Sequence, residues 1–148
     1  IKKSGCLYVI IRTAWLYSGY GHNFVKTISR LASERDELNV VSDQWGTPTY
    51  AGDLAEAIIS IMERDDLPEL EGVYHFTNEG ACTWYDFAKE IVALTGANCK
   101  VNPVTTEEYP SKVKRPAYSI LDKTKIKETF NLEIRDWREA LKSCMATF

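Results

Sequence analysis

The sequence predicts a mixed α/β fold, and three observations support this prediction. Residues 7–17, LYVIIRTAWLY, are continuously apolar and rich in β-branched and aromatic residues, which is typical of a buried strand in a parallel sheet. Amphipathic helical periodicity follows, and strands and helices then alternate along the chain. The strands are too few and too short for a complete doubly wound sheet.

Helical periodicity predicts the first helix within residues 23–38. Asn23 is a suitable N-cap. Apolar residues recur every three or four positions after it, as in a helix with one buried face: Phe24, Ile28, Leu31 and Ala32. A short strand is expected over 39–42.

The next stretch, DQWGTPTY (43–50), is predicted to be a loop that carries two large aromatic residues. Gly46 and Pro48 exclude a regular helix or a central strand. We expect Asp43 and Gln44 to hydrogen-bond the backbone of the loop itself.

Residues 52–64 predict a second helix that begins near Gly52 or Asp53. Asp53 is either its N-cap or a polar partner of the preceding loop. Four apolar residues at helical spacing are expected to face the core: Leu54, Ile58, Ile61 and Met62.

The second half contains further alternating elements. A strand is predicted over 72–77, and a helix follows the capping-box pair Thr83 and Asp86 and ends at Gly96. Beyond it we expect a strand over 99–104, a long loop, and two short helices with N-caps at Asp122 and Asp136.

Composition and charge exclude several classes of protein. Hydrophobic residues make up 45% of the 148 residues, which is enough to form a core, and the net charge of −3 is spread without the basic patch of a nucleic-acid-binding protein. The longest apolar run is too short to span a membrane. Four cysteines without a CxxC pair favour reduced thiols in a cytoplasmic protein, and two isolated histidines do not indicate a metal site.

Because the chain begins with Ile1 and runs at once into a strand, we expect it to be a piece of a longer protein.

Five motifs occur in order along the chain, and together they resemble a known family. They are IIRTAWLYS (10–18), NFV (23–25), VVSDQWGTPTYAGDLA (40–55), GVYHFTNEGACTWYDFA (72–88) and KRPAYSILD (114–122). This series resembles the C-terminal half of the dTDP-4-dehydrorhamnose reductases, which are extended short-chain dehydrogenase/reductase proteins. The glycine-rich dinucleotide loop of that family lies further upstream, and neither GxGxxG nor GxxxxGK[ST] occurs here.

The resemblance implies a partial Rossmann sheet joined to a small α/β substrate-binding domain. The whole chain, 1–148, would be the substrate-binding C-terminal part. Within it, 5–37 and 50–78 would contribute to the nucleotide-binding sheet and its helices. The small domain would consist of 38–49 and 79–148, so that the loop 43–50 leads the chain from one domain to the other.

The resemblance also implies a reaction. A full-length member would transfer hydride from NADPH or NADH to the C4 ketone of dTDP-4-dehydro-L-rhamnose and form dTDP-L-rhamnose for cell-surface polysaccharides. The catalytic Tyr-x-x-x-Lys pair would lie upstream, and Tyr85 and Lys89 share its spacing only by coincidence, so we expect no catalytic residue and no activity in the isolated chain. Another sugar-nucleotide epimerase or reductase of the superfamily, or a non-catalytic regulatory subunit, remains an alternative.

Four residues are candidates for substrate binding. Trp15 either stacks on the deoxysugar or packs in the core, and Asn23 caps a helix whose N-terminus can also face the diphosphate. Arg115 suits a diphosphate because its guanidinium group is planar, although an exposed arginine is often only solvated. Gln44 either supports its loop or borders the cleft.

Two further expectations concern the nucleotide-binding side. The backbone at Thr13 and Ala14 lies at a strand end and is expected to pass close to the nicotinamide. Residues upstream of this chain would bind most of the NADPH or NADH. An isolated chain would also expose a sheet edge that preceding strands cover in the family. We therefore expect it to associate with itself through that edge.

Overall fold

The computed structural model describes residues 1–109, 113 and 115–147, and it shows the mixed α/β architecture that the sequence predicts. The strands are β1 Val9–Arg12, β2 Leu16–Tyr17, β3 Glu37–Val41, β4 Trp45–Gly46, β5 Thr49–Tyr50, β6 Gly72–His75, β7 Cys82–Thr83 and β8 Lys100–Val104. The helices are α1 Phe24–Glu34, α2 Ala51–Met62, α3 Trp84–Thr95, α4 Thr124–Phe130 and α5 Trp137–Met145, with 3₁₀ turns at Lys2–Ser4 and Leu67–Leu70. No helix within these described ranges is long and apolar enough to cross a bilayer.

The strands pair two by two. Strand β1 pairs with β6, β2 with β5 and β3 with β8, and each of these pairs is parallel. Strand β4 pairs with β7 in the antiparallel sense. The parallel sheet predicted from residues 7–17 is therefore confirmed, because both strands within that stretch have parallel partners.

The prediction of one continuous strand over 7–17 was wrong. The ladder with β6 ends at Arg12, and the chain enters β2 only at Leu16. Between them Trp15 adopts φ 48°, a left-handed conformation that breaks a strand and costs a non-glycine residue roughly 1–2 kcal/mol. The expected burial of the stretch was wrong as well, because Tyr17 alone is buried there while Leu7 and Leu16 are 65% and 50% exposed. The apolar sequence carries no signal for the change of partner strand.

Helices α1, α3 and α5 begin at their predicted capping residues, whereas the predicted N-cap Asp122 was wrong, because α4 has Lys123 in that position. Asn23 accepts a hydrogen bond from the backbone of Lys26 at the start of α1. Thr83 and Asp86 form the capping box that begins α3, and Gly96 ends it with φ 69°. These caps are local in sequence, and the predictions made from them are confirmed.

Two hydrophobic clusters divide the interior. The larger cluster is built from α1, β3, α3 and α5, and it includes the fully buried Phe87, Ile91 and Leu141. The smaller cluster joins β1, α2, β6 and α4 around Tyr74 and Ile126. Each cluster brings together segments from both halves of the sequence.

Helix α2 differs in two ways from its prediction. It begins at Ala51 with Tyr50 as N-cap, so Asp53 lies inside its first turn and is not the cap. Ile58 is 38% exposed and Met62 is 69% exposed, although both were expected to face the core. Their apolar face borders a groove beside β1, which the helical periodicity does not distinguish from a buried core.

A buried carboxylate connects α2 to the C-terminal part of the chain. Asp53 accepts hydrogen bonds from Arg135 Nε at 2.9 Å and from the amide of the fully buried Asn78. Asn78 Oδ1 in turn accepts from the backbone N–H of Tyr50 at 2.8 Å, and Arg135 donates to Ser143 on α5. The hydrogen bonds to Asp53 raise the pKa of Arg135 above its ordinary value, as expected for a charge-assisted pair.

We predict that Asp53→Ala lowers the free energy of unfolding by about 2 kcal/mol, because the buried amide and the guanidinium lose their acceptor. Urea unfolding followed by circular dichroism measures this change. The matched control is Asp66→Ala, which breaks the exposed ion pair with Arg64 and should change stability by less than about 0.5 kcal/mol. Equal effects of the two substitutions would contradict the structural role of Asp53.

Candidate functional site

A cleft of about 640 Å³ lies between α1, β3 and the loop that follows β8. Helix α1 and its C-cap Arg35 contribute one side, and the whole of β3 lines the cleft as well. Gln44, Trp84 and Arg115 also line the cleft. The lining mixes apolar side chains with polar and charged ones, among them Arg35, Glu37 and Thr106. A concave surface with both kinds of group is suited to a polar small molecule.

Gln44 lies within the cleft wall, where it is only 7% exposed. Its amide donates to Thr106 Oγ1 at 3.0 Å, and the neighbouring Asp43 accepts from the backbone N–H of Thr106 at 2.9 Å and from its hydroxyl at 2.6 Å. The prediction that both side chains bond their own loop was wrong. Their partner is 62 or more residues away, on the loop after β8.

Trp15 stands behind the cleft and is held from two sides. Its backbone carbonyl accepts from the N–H of Thr49 at 3.1 Å, and its indole stacks on that of Trp84 with ring centroids 3.5 Å apart and planes 13° from parallel. A Cβ atom at Gly46 would lie 2.5 Å from two atoms of the same indole, so only glycine fits there. In this arrangement the stacked face of Trp15 is not open to a ligand.

Trp84, the first residue of α3, reaches the cleft itself. The capping box at Thr83 and Asp86 fixes the start of the helix and thus the position of the indole. Phe24 packs against it with ring centroids 4.6 Å apart. Trp84 on α3 therefore meets Trp15 and Phe24, which lie 60 or more positions earlier in the chain, at one end of the cleft.

Asn23 precedes Phe24 and uses its side chain for capping. Oδ1 accepts from the backbone of Lys26 at 3.1 Å, and Nδ2 donates to the carbonyl of Ser18 at 2.8 Å. These contacts fix the turn before α1 and place the helix N-terminus beside the cleft. A role of Asn23 toward a diphosphate stays a prediction.

Arg115 is exposed at the cleft rim, 71 positions beyond Gln44 in the sequence. The backbone after it is anchored, because Trp45 and Ala117 share a hydrogen bond of 2.8 Å and Ser119 donates its N–H to the carbonyl of Trp45 at 2.9 Å. The structure thus brings two of the four substrate-binding candidates to the same cleft.

Thr13 and Ala14 lie at the carboxyl end of β1, outside the lining of this cleft. The hydroxyl of Thr13 donates to Thr49 Oγ1 at 3.1 Å, and the carbonyl of Ala14 accepts from the Thr49 hydroxyl at 2.7 Å. Carboxyl ends of parallel strands are where open α/β sheets bind their ligands. Their expected contact with a nicotinamide stays a prediction.

The thiols are unpaired, as predicted, and differ in their environment. Cys82, Cys99 and Cys144 are buried, whereas Cys6 is exposed. Burial raises the pKa of Cys82 to about 12 and that of Cys144 to about 11, so both remain protonated near neutral pH and are poor nucleophiles. Among the side chains that the structure describes, no group of three His, Cys, Asp or Glu residues could hold a metal ion.

Sequence reasoning missed Trp84 and Thr106 as parts of the site. Trp84 opens an amphipathic helix, where an aromatic residue usually packs in the core, so its sequence context does not indicate a site. Thr106 follows a strand in a polar loop and has no local signal that relates it to Asp43. Lys89 Nζ lies 5.3 Å from the ring centroid of Tyr85 on α3. The coincidental nature of their Tyr-x-x-x-Lys spacing stays a prediction.

A family model described as the RmlD substrate binding domain matches residues 1–148. The chain belongs to this family. It is 47% identical over 146 residues to a dTDP-4-dehydrorhamnose reductase of Aggregatibacter actinomycetemcomitans, a match that covers 93% of this chain and 50% of that protein.

Two solved structures of related proteins have the same fold as this chain. The dTDP-4-dehydrorhamnose reductase of Bacillus anthracis str. Ames, solved in complex with NADP, has a TM-score of 0.92 at 39% identity and covers 99% of this chain and 51% of that one. The Clostridium acetobutylicum protein of the same name has a TM-score of 0.85 at 47% identity, covering 95% and 48%. The predicted resemblance and fold class are confirmed, and the chain spans about half the length of these relatives.

The pair Asp43 and Thr106 predicts a pH dependence at the rim of the cleft. The hydrogen bonds from Thr106 hold the pKa of Asp43 below its ordinary value of 3.8. A carboxylate with a lowered folded-state pKa stabilises the fold fully above the unfolded-state pKa, and this contribution is lost as the pH falls through the folded-state pKa. The amide resonance of Thr106 should therefore shift with a midpoint below 3.8.

The variant Asp43→Asn provides the control for this titration, because it removes the ionisable group and should abolish the shift of the Thr106 amide. If the Thr106 amide of the unmodified chain shifted with a midpoint at or above the ordinary aspartate pKa, the hydrogen bonds between Asp43 and Thr106 would be absent in solution.

Proposed function

We propose that this chain is the substrate-binding part of an NAD(P)H-dependent reductase that converts dTDP-4-dehydro-L-rhamnose to dTDP-L-rhamnose in the cytoplasm. The observation that carries the proposal is the meeting of Gln44 and Arg115 at one cleft in a chain of the RmlD substrate-binding family. The names of the related proteins support the substrate class.

The cleft supports the binding of a sugar nucleotide through charge and shape. Arg115 offers a planar guanidinium group that can donate two parallel hydrogen bonds to a diphosphate. The N-terminus of α1, fixed by Asn23, adds the favourable field of unpaired backbone N–H groups. Gln44 is held by Thr106, so its position at the cleft does not depend on the ligand.

The residues present fit only a small part of a dinucleotide cofactor. Thr13 and Ala14 lie at the carboxyl end of β1, where their backbone can border a nicotinamide. NADPH or NADH, when bound, supplies the hydride for the reduction. This chain would hold the sugar nucleotide, while the Tyr and Lys that the family resemblance implies would lie in the preceding segment.

Binding and turnover assays test the proposed function. The isolated chain should bind dTDP-L-rhamnose more tightly than UDP- or GDP-sugars in calorimetric titrations, and it should not consume NADPH with dTDP-4-dehydro-L-rhamnose. A preference for another nucleotide would favour a different sugar-nucleotide enzyme, and failure to bind any would overturn the proposal. Turnover by the isolated chain would contradict the assignment of catalysis to the preceding segment.

The variant Arg115→Ala tests the diphosphate contact. We expect it to weaken dTDP binding roughly 10- to 100-fold, because charge-assisted hydrogen bonds are lost. Arg115→Lys should recover only part of the affinity, since an ammonium group cannot donate in two parallel directions. Arg30→Ala is the matched control, because Arg30 pairs with Glu34 on α1 and should leave the affinity unchanged.

We further propose that the isolated chain associates with a second copy through β1. Among the described residues, β1 pairs only with β6, so its other edge is open. An apolar groove of about 460 Å³ runs beside this edge and is lined by side chains that include Leu7, Val9 and Met62. Leu7 is 65% exposed, and an open strand edge beside such a surface favours pairing with another strand.

Light scattering on size-exclusion fractions tests this association. The isolated chain should form dimers or larger species, and Leu7→Lys should shift it toward monomer, because it places a charge in the apolar groove next to the edge strand. Leu94→Lys on α3, outside the groove, should leave the association unchanged. A monomer at all concentrations would overturn the proposed pairing.

A further inference from the structure

Gln44 is a polar side chain that the fold buries against the wall of the cleft. It is only 7% exposed and it lines the cleft. Within the part of the chain that the structure describes, its side chain makes one hydrogen bond, from Nε2 to Thr106 Oγ1 at 3.0 Å. The carbonyl oxygen Oε1 therefore has no partner among those residues. A buried acceptor without a partner is unfavourable, so a ligand group that donates to Oε1 would be stabilised.

The number of hydrogens at Thr106 decides which atom of the Gln44 amide faces it. A hydroxyl group has one hydrogen to donate, and an ionised carboxylate can only accept. Thr106 donates its hydrogen to Asp43 Oδ1 at 2.6 Å, and Asp43 is ionised near neutral pH because these hydrogen bonds hold its pKa below the ordinary value. Thr106 Oγ1 can therefore only accept from Gln44. The reversed amide would bring two acceptors together, so Asp43 indirectly keeps Nε2 toward Thr106 and Oε1 away from it.

Paired strands hold Asp43 and Thr106 in place. Strand β3 pairs with β8 along its whole length, and the backbone N–H of Ser42 continues the ladder to the carbonyl of Val104 at 2.9 Å. The backbone N–H of Thr106 then donates to Asp43 Oδ2 at 2.9 Å. The protein thus sets the orientation of the Gln44 amide before a ligand enters, which lowers the cost of ordering this side chain on binding.

We propose that Gln44 accepts, through Oε1, a hydrogen bond from an N–H or O–H group of the bound sugar nucleotide, and that Thr106 is the residue that positions the amide. This inference rests on the proposed function. The second amide hydrogen of Gln44 can serve any ligand acceptor, but Oε1 requires a donor. An ionised diphosphate offers only acceptors, whereas the base carries an imide N–H and the two sugars carry hydroxyl groups. Gln44 therefore recognises the base or a sugar, and Arg115 the diphosphate.

Calorimetric titration of a ligand series tests this hydrogen bond. The series consists of dTDP-L-rhamnose, dTDP, dTDP methylated at N3 of the base, and 3′-deoxy-dTDP. Gln44→Met keeps the length of the side chain and removes its polar atoms. We expect it to weaken the binding of dTDP-L-rhamnose roughly three- to tenfold, which corresponds to the loss of one hydrogen bond.

The other probes identify the donor, because each lacks one kind of N–H or O–H group. If a hexose hydroxyl donates to Gln44, dTDP binds equally well to the unmodified chain and to Gln44→Met. If the base donates, the loss is seen with dTDP and disappears with the N3-methyl probe. If the deoxyribose hydroxyl donates, the loss disappears with 3′-deoxy-dTDP. A loss of equal size with all four probes would overturn the hydrogen bond, because no single donor is then responsible.

Two variants of Thr106 test its positioning role. Thr106→Val removes the hydroxyl at nearly constant volume and should cause the same loss as Gln44→Met, whereas Thr106→Ser keeps the hydroxyl and should restore the affinity. The double variant of Gln44→Met and Thr106→Val should bind no more weakly than either single variant, since both remove one interaction. The matched control is Thr105→Val, whose hydroxyl bonds Glu108 and which does not line the cleft, so the affinity should stay unchanged.

The outcomes distinguish this inference from the proposed function. Unchanged binding of dTDP-L-rhamnose in Gln44→Met would overturn the hydrogen bond and leave the proposed function standing. Additive losses in the double variant, or equal losses in Thr106→Val and Thr105→Val, would overturn the positioning role of Thr106. If the unmodified chain bound none of the probes, the proposed function would fail and this inference with it.

Discussion

The carboxylate of Asp53 is the constraint on which the rest of the structure depends. It is buried, and it accepts hydrogen bonds from Asn78 on the segment after β6 and from Arg135 just before α5. Because Asn78 also holds the backbone of Tyr50, the same contacts fix the end of the segment 43–50, which was predicted as a loop and contains the short strands β4 and β5. A buried charge without these partners would destabilise the fold, so the folded state requires the three segments to meet at Asp53.

The fold could be predicted from the sequence wherever its signals are local. Asn23, Thr83 and Gly96 specify helix ends through contacts within a few residues, and the apolar stretch 7–17 specifies a parallel sheet. The break at Trp15 could not be predicted, because a left-handed residue is stabilised there by stacking with a side chain 69 positions away. The exposed face of α2 was missed because periodicity reports an apolar face and does not identify what covers it.

The site could be predicted only in part. The motif resemblance located Gln44 and Arg115, which the fold brings to one cleft. The hydrogen bonds between Asp43 and Thr106 join residues more than sixty positions apart. The partner of such a polar loop residue cannot be deduced without the fold. The same is true of Trp84, whose position at the cleft depends on the packing of α3 against α1.

Because three of the four cysteines are buried, the chain has one thiol that a labelling reagent can reach. Cys82, Cys99 and Cys144 are enclosed by the fold, while Cys6 lies on the surface directly before Leu7 and the open edge of β1. A maleimide dye would react at that one position without any substitution. The native sequence therefore carries its own attachment point for a spectroscopic reporter, beside the surface through which a second strand would approach.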